Sequence, residues 1–151
     1  MEKPRVNLSK AAPELNQAVA GLDKLAKTLA ASAGFADGFV HLLKLRASQL
    51  NHCAYCVRMH TRDALKSGET SDRISVLTAW QESGYFGDKE RAALTLTEAV
   101  TLIAEGQVPD TVYAEVSSQL SDQEIAAIEW VAIVINAWNR IAICSRYPVK
   151  P

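Results

Sequence analysis

Apolar residues recur along this chain at helical spacing, and the breaks between apolar runs carry residues that end or start helices. Pro13 suits the first turn of a helix running to about Ser32, with Gly34 just past its end. Asp37 can cap a second helix, on which Phe39, Leu42, Leu43 and Leu50 are apolar at helical spacing. Asn51 offers a cap for a third, which contains Cys53 and ends at Gly68. Thr70 or Ser71 caps a fourth through Ile74, Leu77 and Trp80, stopping near Ser83-Gly84. Asp88 opens a fifth, carrying Ala92, Leu94, Leu96, Val100 and Ile103 and closed by Gly106; Pro109 starts a short sixth. Ser121 and Glu124 have capping-box spacing for a long seventh helix to about Cys144. Tyr147 to Pro151 reads as a tail.

No segment alternates with strand period, and no Asn-Gly hairpin signal, tandem repeat or linker interrupts the pattern. The expectation is a single all-α domain over residues 1–151, a bundle of about seven helices with short loops and antiparallel neighbours.

Composition narrows the function. The 151 residues are 48% apolar and 22% charged, ordinary for a globular protein with one core. A net charge of -1, with basic residues scattered among acids, gives no field favouring nucleic acid or anionic lipid. The most apolar segment, Ile125 to Ile143, is interrupted by Glu129, Asn136, Asn139 and Arg140, which suits a buried helix better than a membrane span. Met1-Glu2-Lys3-Pro4-Arg5 is polar and does not resemble a signal peptide. Three cysteines are too few and too odd in number for a secreted disulfide scaffold, so a reducing cytoplasm is expected.

In that compartment the run Cys53-Ala54-Tyr55-Cys56-Val57-Arg58-Met59-His60 carries the chemistry. On a helix, Cys53, Cys56 and His60 lie along one face. Two thiols three residues apart can close a disulfide. A helix start favours thiolate, and His60, one turn beyond Cys56, can accept its proton. Cys56 would attack a peroxide O–O bond and leave a sulfenic acid; Cys53 would condense with it, and an external dithiol would reduce the resulting disulfide. The two cysteines suffice, and no cofactor or metal is required. His41, on the preceding helix, can extend the proton path or stand as a partly exposed histidine. The bland alternative is a pair of core cysteines. Another is a metal site from Cys53, Cys56, His60 and either His41 or His52, though structural zinc sites usually space their ligand pairs by a longer loop. Cys144 reads as a small core residue and Trp80, Trp130 and Trp138 as core or interface; Arg140, as a buried arginine, needs a partner.

Leu42-Leu43-Lys44-Leu45-Arg46-Ala47-Ser48-Gln49-Leu50-Asn51, with Cys53-Ala54-Tyr55-Cys56 and His60, resembles the alkyl hydroperoxidase D / carboxymuconolactone decarboxylase group. So do Glu90-Arg91-Ala92-Ala93-Leu94 and Asn136-Ala137-Trp138-Asn139-Arg140, and the similarity spans about residues 15–147. The resemblance implies an all-helical fold, trimers or hexamers, and peroxidase activity in members with both cysteines. Carried over by position, Cys56 is the peroxide-reactive cysteine, Cys53 resolves it, and His60 matches the family histidine. It further implies a dithiol reductant, in well-known members a lipoylated protein, although no lipoyl-docking feature is visible. Two positions depart from the pattern: His41 stands where the peroxidases have a glutamate, and Tyr55 where a histidine often precedes the second cysteine. A His41–His60–Cys56 relay is expected in place of the usual one. Thiol–disulfide exchange, a redox- or metal-responsive module, and lactone decarboxylation are the competing readings.

Overall fold

A computed structural model describes residues 3–151; Met1 and Glu2, the start of the polar N-terminus, lie outside the described residues. Among them are nine α-helices, one 3-10 helix and no strand. The helices are α1 (Leu8–Ala11), α2 (Pro13–Ser32), α3 (Asp37–Leu50), α4 (Ala54–Lys66), α5 (Ser71–Val76), α6 (Asp88–Thr101), α7 (Ile103–Gly106), α8 (Asp110–Gln119) and α9 (Asp122–Ser145), with the 3-10 helix at Leu77–Glu82.

Local chemistry sets most boundaries. Pro13 opens α2, and Gly34 (φ 92°) follows its end in the left-handed region where a side chain is disfavoured. The Ser121–Glu124 capping box forms: the Ser121 backbone N–H donates to Glu124 Oε2 at 2.8 Å, and Glu124 N–H to Ser121 Oγ at 3.3 Å. Thr70, not Ser71, caps α5 through Arg73 N–H.

Three helix boundaries differ from expectation, and one short helix is additional. Asp37 is the first residue of α3 and Ala36 its cap. The fourth predicted helix breaks at Ala79 (φ −126°, ψ 35°), where the chain turns so that buried Trp80 donates its indole N–H to Glu98 at 2.7 Å. The fifth breaks at Leu102, amid the β-branched Val100, Thr101 and Ile103, which disfavour continued helix. The short α1 carried too little periodicity to be seen.

The core lies between α3, α6 and α9, with α2 and α8 completing the wall. Leu42, Leu43, Leu45, Leu94, Leu96, Ile128, Val131 and Val134 are fully buried there. By length and hydropathy α9 could cross a membrane, but here it is the central core helix of the bundle, packed against α2, α3 and α6. Its outer stripe is exposed, including Trp130, Ile133, Arg140 and Cys144. Cys144 is therefore no core residue, and Arg140 is not buried; its guanidinium donates to Asn136 O and Oδ1. Trp80 is buried and Trp138 half-buried. Arg46 meets Glu98 at 2.7 Å, and Arg73 joins Glu69 and Glu90 at 2.9 and 2.7 Å, tying the outer helices to the core. Helices α3 and α4 share the most extensive contact, and the site lies along it.

Candidate active site

The thiols sit at a three-residue corner between α3 and α4. Asn51 does not cap α4, as its sequence position suggested; it ends α3. His52 takes φ 56°, which reverses the chain, and Cys53 is the true cap of α4. The Cys56 backbone N–H donates to Cys53 Sγ at 3.4 Å. Cys56 is thus the third residue of α4, and both sulfurs lie where free amide N–H groups favour an anion. The two are joined as a disulfide with a Cα–Cα separation of 5.3 Å, and both are buried.

A polar network holds this corner. Asn51 Nδ2 donates to Asn136 Oδ1 at 2.9 Å and to Asn139 Oδ1 at 2.8 Å. Asn139, fully buried, donates to Ser48 Oγ at 3.0 Å, and Ser48 donates to Lys44 O. These asparagines explain the polar interruptions of the apolar α9: they fasten α9 to the end of α3.

One turn past Cys56, His60 is buried. Its Nδ1 is 3.3 Å from His41 Nδ1 on α3. Its Nε2 has no hydrogen-bond partner in the protein. Burial, with Lys44 and His41 nearby, pushes the His60 pKa down to about 3, so the imidazole is neutral at physiological pH. His41 is also lowered, chiefly by burial, although Asp37, 3.8 Å from its Nε2, works against that. Lys44 is buried and bonded to Asp23 Oδ1 at 2.5 Å, and Asp23 Oδ2 accepts from Trp138 Nε1 at 3.3 Å.

A cavity of about 350 Å³ opens beside Cys56 and His60, walled mainly by Tyr55, Met59, Trp138 and Tyr147. The C-terminal segment is therefore not a free tail. Tyr147 meets Tyr55 edge-on at 5.1 Å between centroids, and its hydroxyl contacts Ser9 of α1. Cys53 borders a separate cavity with Arg5, Ala54 and Arg146. The helix start thus favours a thiolate at both cysteines, while only Cys56 lines the cavity that His60 shares.

The site residues are joined in steps: Cys53 is bonded to Cys56, Cys56 and His60 line one cavity, and His60 meets His41, which does not line that cavity. His52 is exposed and outside both cavities. With the thiols bonded to each other, the four-ligand thiolate site is not assembled. The sequence reading missed Asp23, Tyr147 and Asp63, whose carboxylate lies within 4.8 Å of nitrogens of both His41 and His60. Asp63 had a local signal, three residues after His60 on one helix face; the other two are long-range.

An all-helical domain with a CxxC pair at a helix start and a histidine one turn on is thus defined. The chain matches the model of the carboxymuconolactone decarboxylase family over residues 13–99, and it belongs to that family. It is 44% identical over 102 residues to the uncharacterized protein YdfG of Bacillus subtilis (strain 168), a match covering 68% of this chain and 69% of that one. It is also similar to the crystal structure of ATU0492 from Agrobacterium tumefaciens, a protein of unknown function provisionally assigned as the antioxidant defence protein AhpD. That match has a TM-score of 0.86 and 39% identity, covering 98% of this chain and 100% of the other.

Proposed function

We propose that this chain is an antioxidant thiol peroxidase that reduces organic hydroperoxides through Cys56 and Cys53. The observation that carries the reading is that Cys56 and His60 line one largely apolar cavity, with a second cysteine already in bonding position. The provisional assignment of the ATU0492 structure to antioxidant defence agrees with it.

In the reduced protein, neutral His60 takes the Cys56 thiol proton on Nε2, its one nitrogen not occupied by His41. The thiolate attacks the distal oxygen of ROOH; the O–O bond breaks, and the alkoxide leaves with the proton returned by His60 as ROH. Cys56 is now a sulfenic acid. Cys53 displaces its hydroxyl, forming the disulfide and releasing water. An external dithiol restores both thiols at the cost of its own oxidation. Because burial disfavours the imidazolium, His60 holds the proton only until the alkoxide takes it, with His41 Nδ1 beside its other nitrogen at 3.3 Å.

The test is consumption of cumene hydroperoxide by the reduced protein with dihydrolipoamide, in wild type, Cys56→Ser and Cys53→Ser. The expected result is turnover in wild type only, with a sulfenic acid trapped in Cys53→Ser. Reactive thiols that exchange with disulfides but leave the peroxide untouched would overturn the peroxidase reading in favour of a thiol–disulfide oxidoreductase.

A further inference from the structure

We propose that His41, His60 and Asp63 form a binding site for a divalent transition-metal ion of the zinc class. His60 and Asp63 are three residues apart on α4 and share a face; His41 reaches them from α3 across the helix pair. The ligand atoms of all three lie within 4.8 Å of one another.

The spacing of the imidazoles carries the argument. Their Nδ1 atoms face each other at 3.3 Å. Two nitrogens each about 2.05 Å from a tetrahedral centre are about 3.3 Å apart. As a hydrogen bond the same separation is long, since protein N–H donors sit about 3 Å from their acceptors. Asp63, half-buried with a carboxylate oxygen within 4.8 Å of both rings, would supply the third ligand.

The surroundings fit a bound ion. With Nδ1 on the metal, His41 Nε2 stays free and lies 3.8 Å from Asp37, a carboxylate that Lys27 and Ser67 already hold in place. Lys44 is the opposing charge nearby, and Asp23 pairs with it. A ligand set of two imidazoles and one carboxylate suits zinc, copper, iron or nickel over magnesium or calcium. An ion here would sit between the two rings and break the His41–His60 contact, so metal occupancy and proton passage between them exclude each other.

The test uses tag-free, full-length protein with the Cys53–Cys56 disulfide intact and Cys144 alkylated, so that no thiol can bind. Equilibrium dialysis with zinc, and the visible spectrum with cobalt(II), are recorded for wild type, His41→Ala, Asp63→Asn and the control His52→Asn, which removes an imidazole while tolerating the left-handed backbone, each checked for folding by circular dichroism. Expected are one ion per chain in wild type and His52→Asn, and at least about tenfold weaker binding in His41→Ala and Asp63→Asn. Absence of zinc uptake by wild type, binding unaffected by Asp63→Asn, or loss in His52→Asn would overturn the site. None of these readings depends on peroxide turnover.

Discussion

Acid should destabilise this protein well before its carboxylates protonate, and His60 is the reason. An unfolded histidine titrates near 6.5, whereas burial holds the native His60 pKa down at about 3. Below pH 6.5 the unfolded chain therefore binds a proton that the native chain refuses, so stability is complete above 6.5 and is lost as pH falls toward 3. At pH 5 the unfolded imidazole is about 1.5 units past its midpoint, and the native one about two units short of its own. At about 1.4 kcal/mol per unit, the native state is weakened by about 2 kcal/mol relative to pH 7.5. His41, also lowered, acts in the same direction. Asp37 and Glu90 titrate below their ordinary 3.8 and 4.5 and so contribute only further down. The assay is urea unfolding at intervals from pH 7.5 to 5.0, with EDTA present to remove metal, in wild type and His60→Gln. The variant should lose most of the pH dependence in that window. A wild type equally stable at both ends, or a His60→Gln protein with the same slope, would refute the reasoning.

Two further outcomes follow from the corner before the thiols. His52 is exposed at φ 56°, so His52→Gly should leave stability unchanged or raised, while the β-branched His52→Val should cost about 1–2 kcal/mol; equal melting temperatures for the two variants would remove the backbone argument. Asn139→Ala deletes a buried acceptor for Asn51 and a donor to Ser48, and should cost about 2–3 kcal/mol in chemical denaturation; a loss below about 0.5 kcal/mol would mean that the network does not hold the corner.

The elements that the sequence announces are those with a local cause. Pro13, Gly34, Gly68, Thr70 and the Ser121–Glu124 box act within a turn of the boundary they set, and each appears where expected. Periodicity names a buried face without naming what covers it. Arg140 and Cys144 were expected inside because their neighbours are apolar, yet they fall on the outer stripe of α9, whose inner stripe alone meets the core. The Asp23–Lys44 pair and the Tyr55–Tyr147 contact join distant segments, and no spacing within one helix encodes them.

The site divides along the same line, with one exception that the topology supplies. Cys53, Cys56 and His60 form a stripe at intervals of three and four, and a further step of three reaches Asp63. Extending the stripe by one turn would have found the carboxylate. His41 requires more, namely that α3 and α4 run antiparallel about a short corner. In such a hairpin both helices climb at the same rate per residue, so positions equally far from the corner face each other. His52 is that centre: His41 lies eleven residues before it and Asp63 eleven after, while Lys44 and His60 lie eight before and eight after. The two layers so defined hold His41 with Asp63 and Lys44 with His60. They are the groups that the structure gathers around His60, and they explain why a lysine charge bears on a histidine sixteen residues away. A left-handed residue at the corner thus does more than turn the chain. It sets the register that places two imidazoles and a carboxylate together.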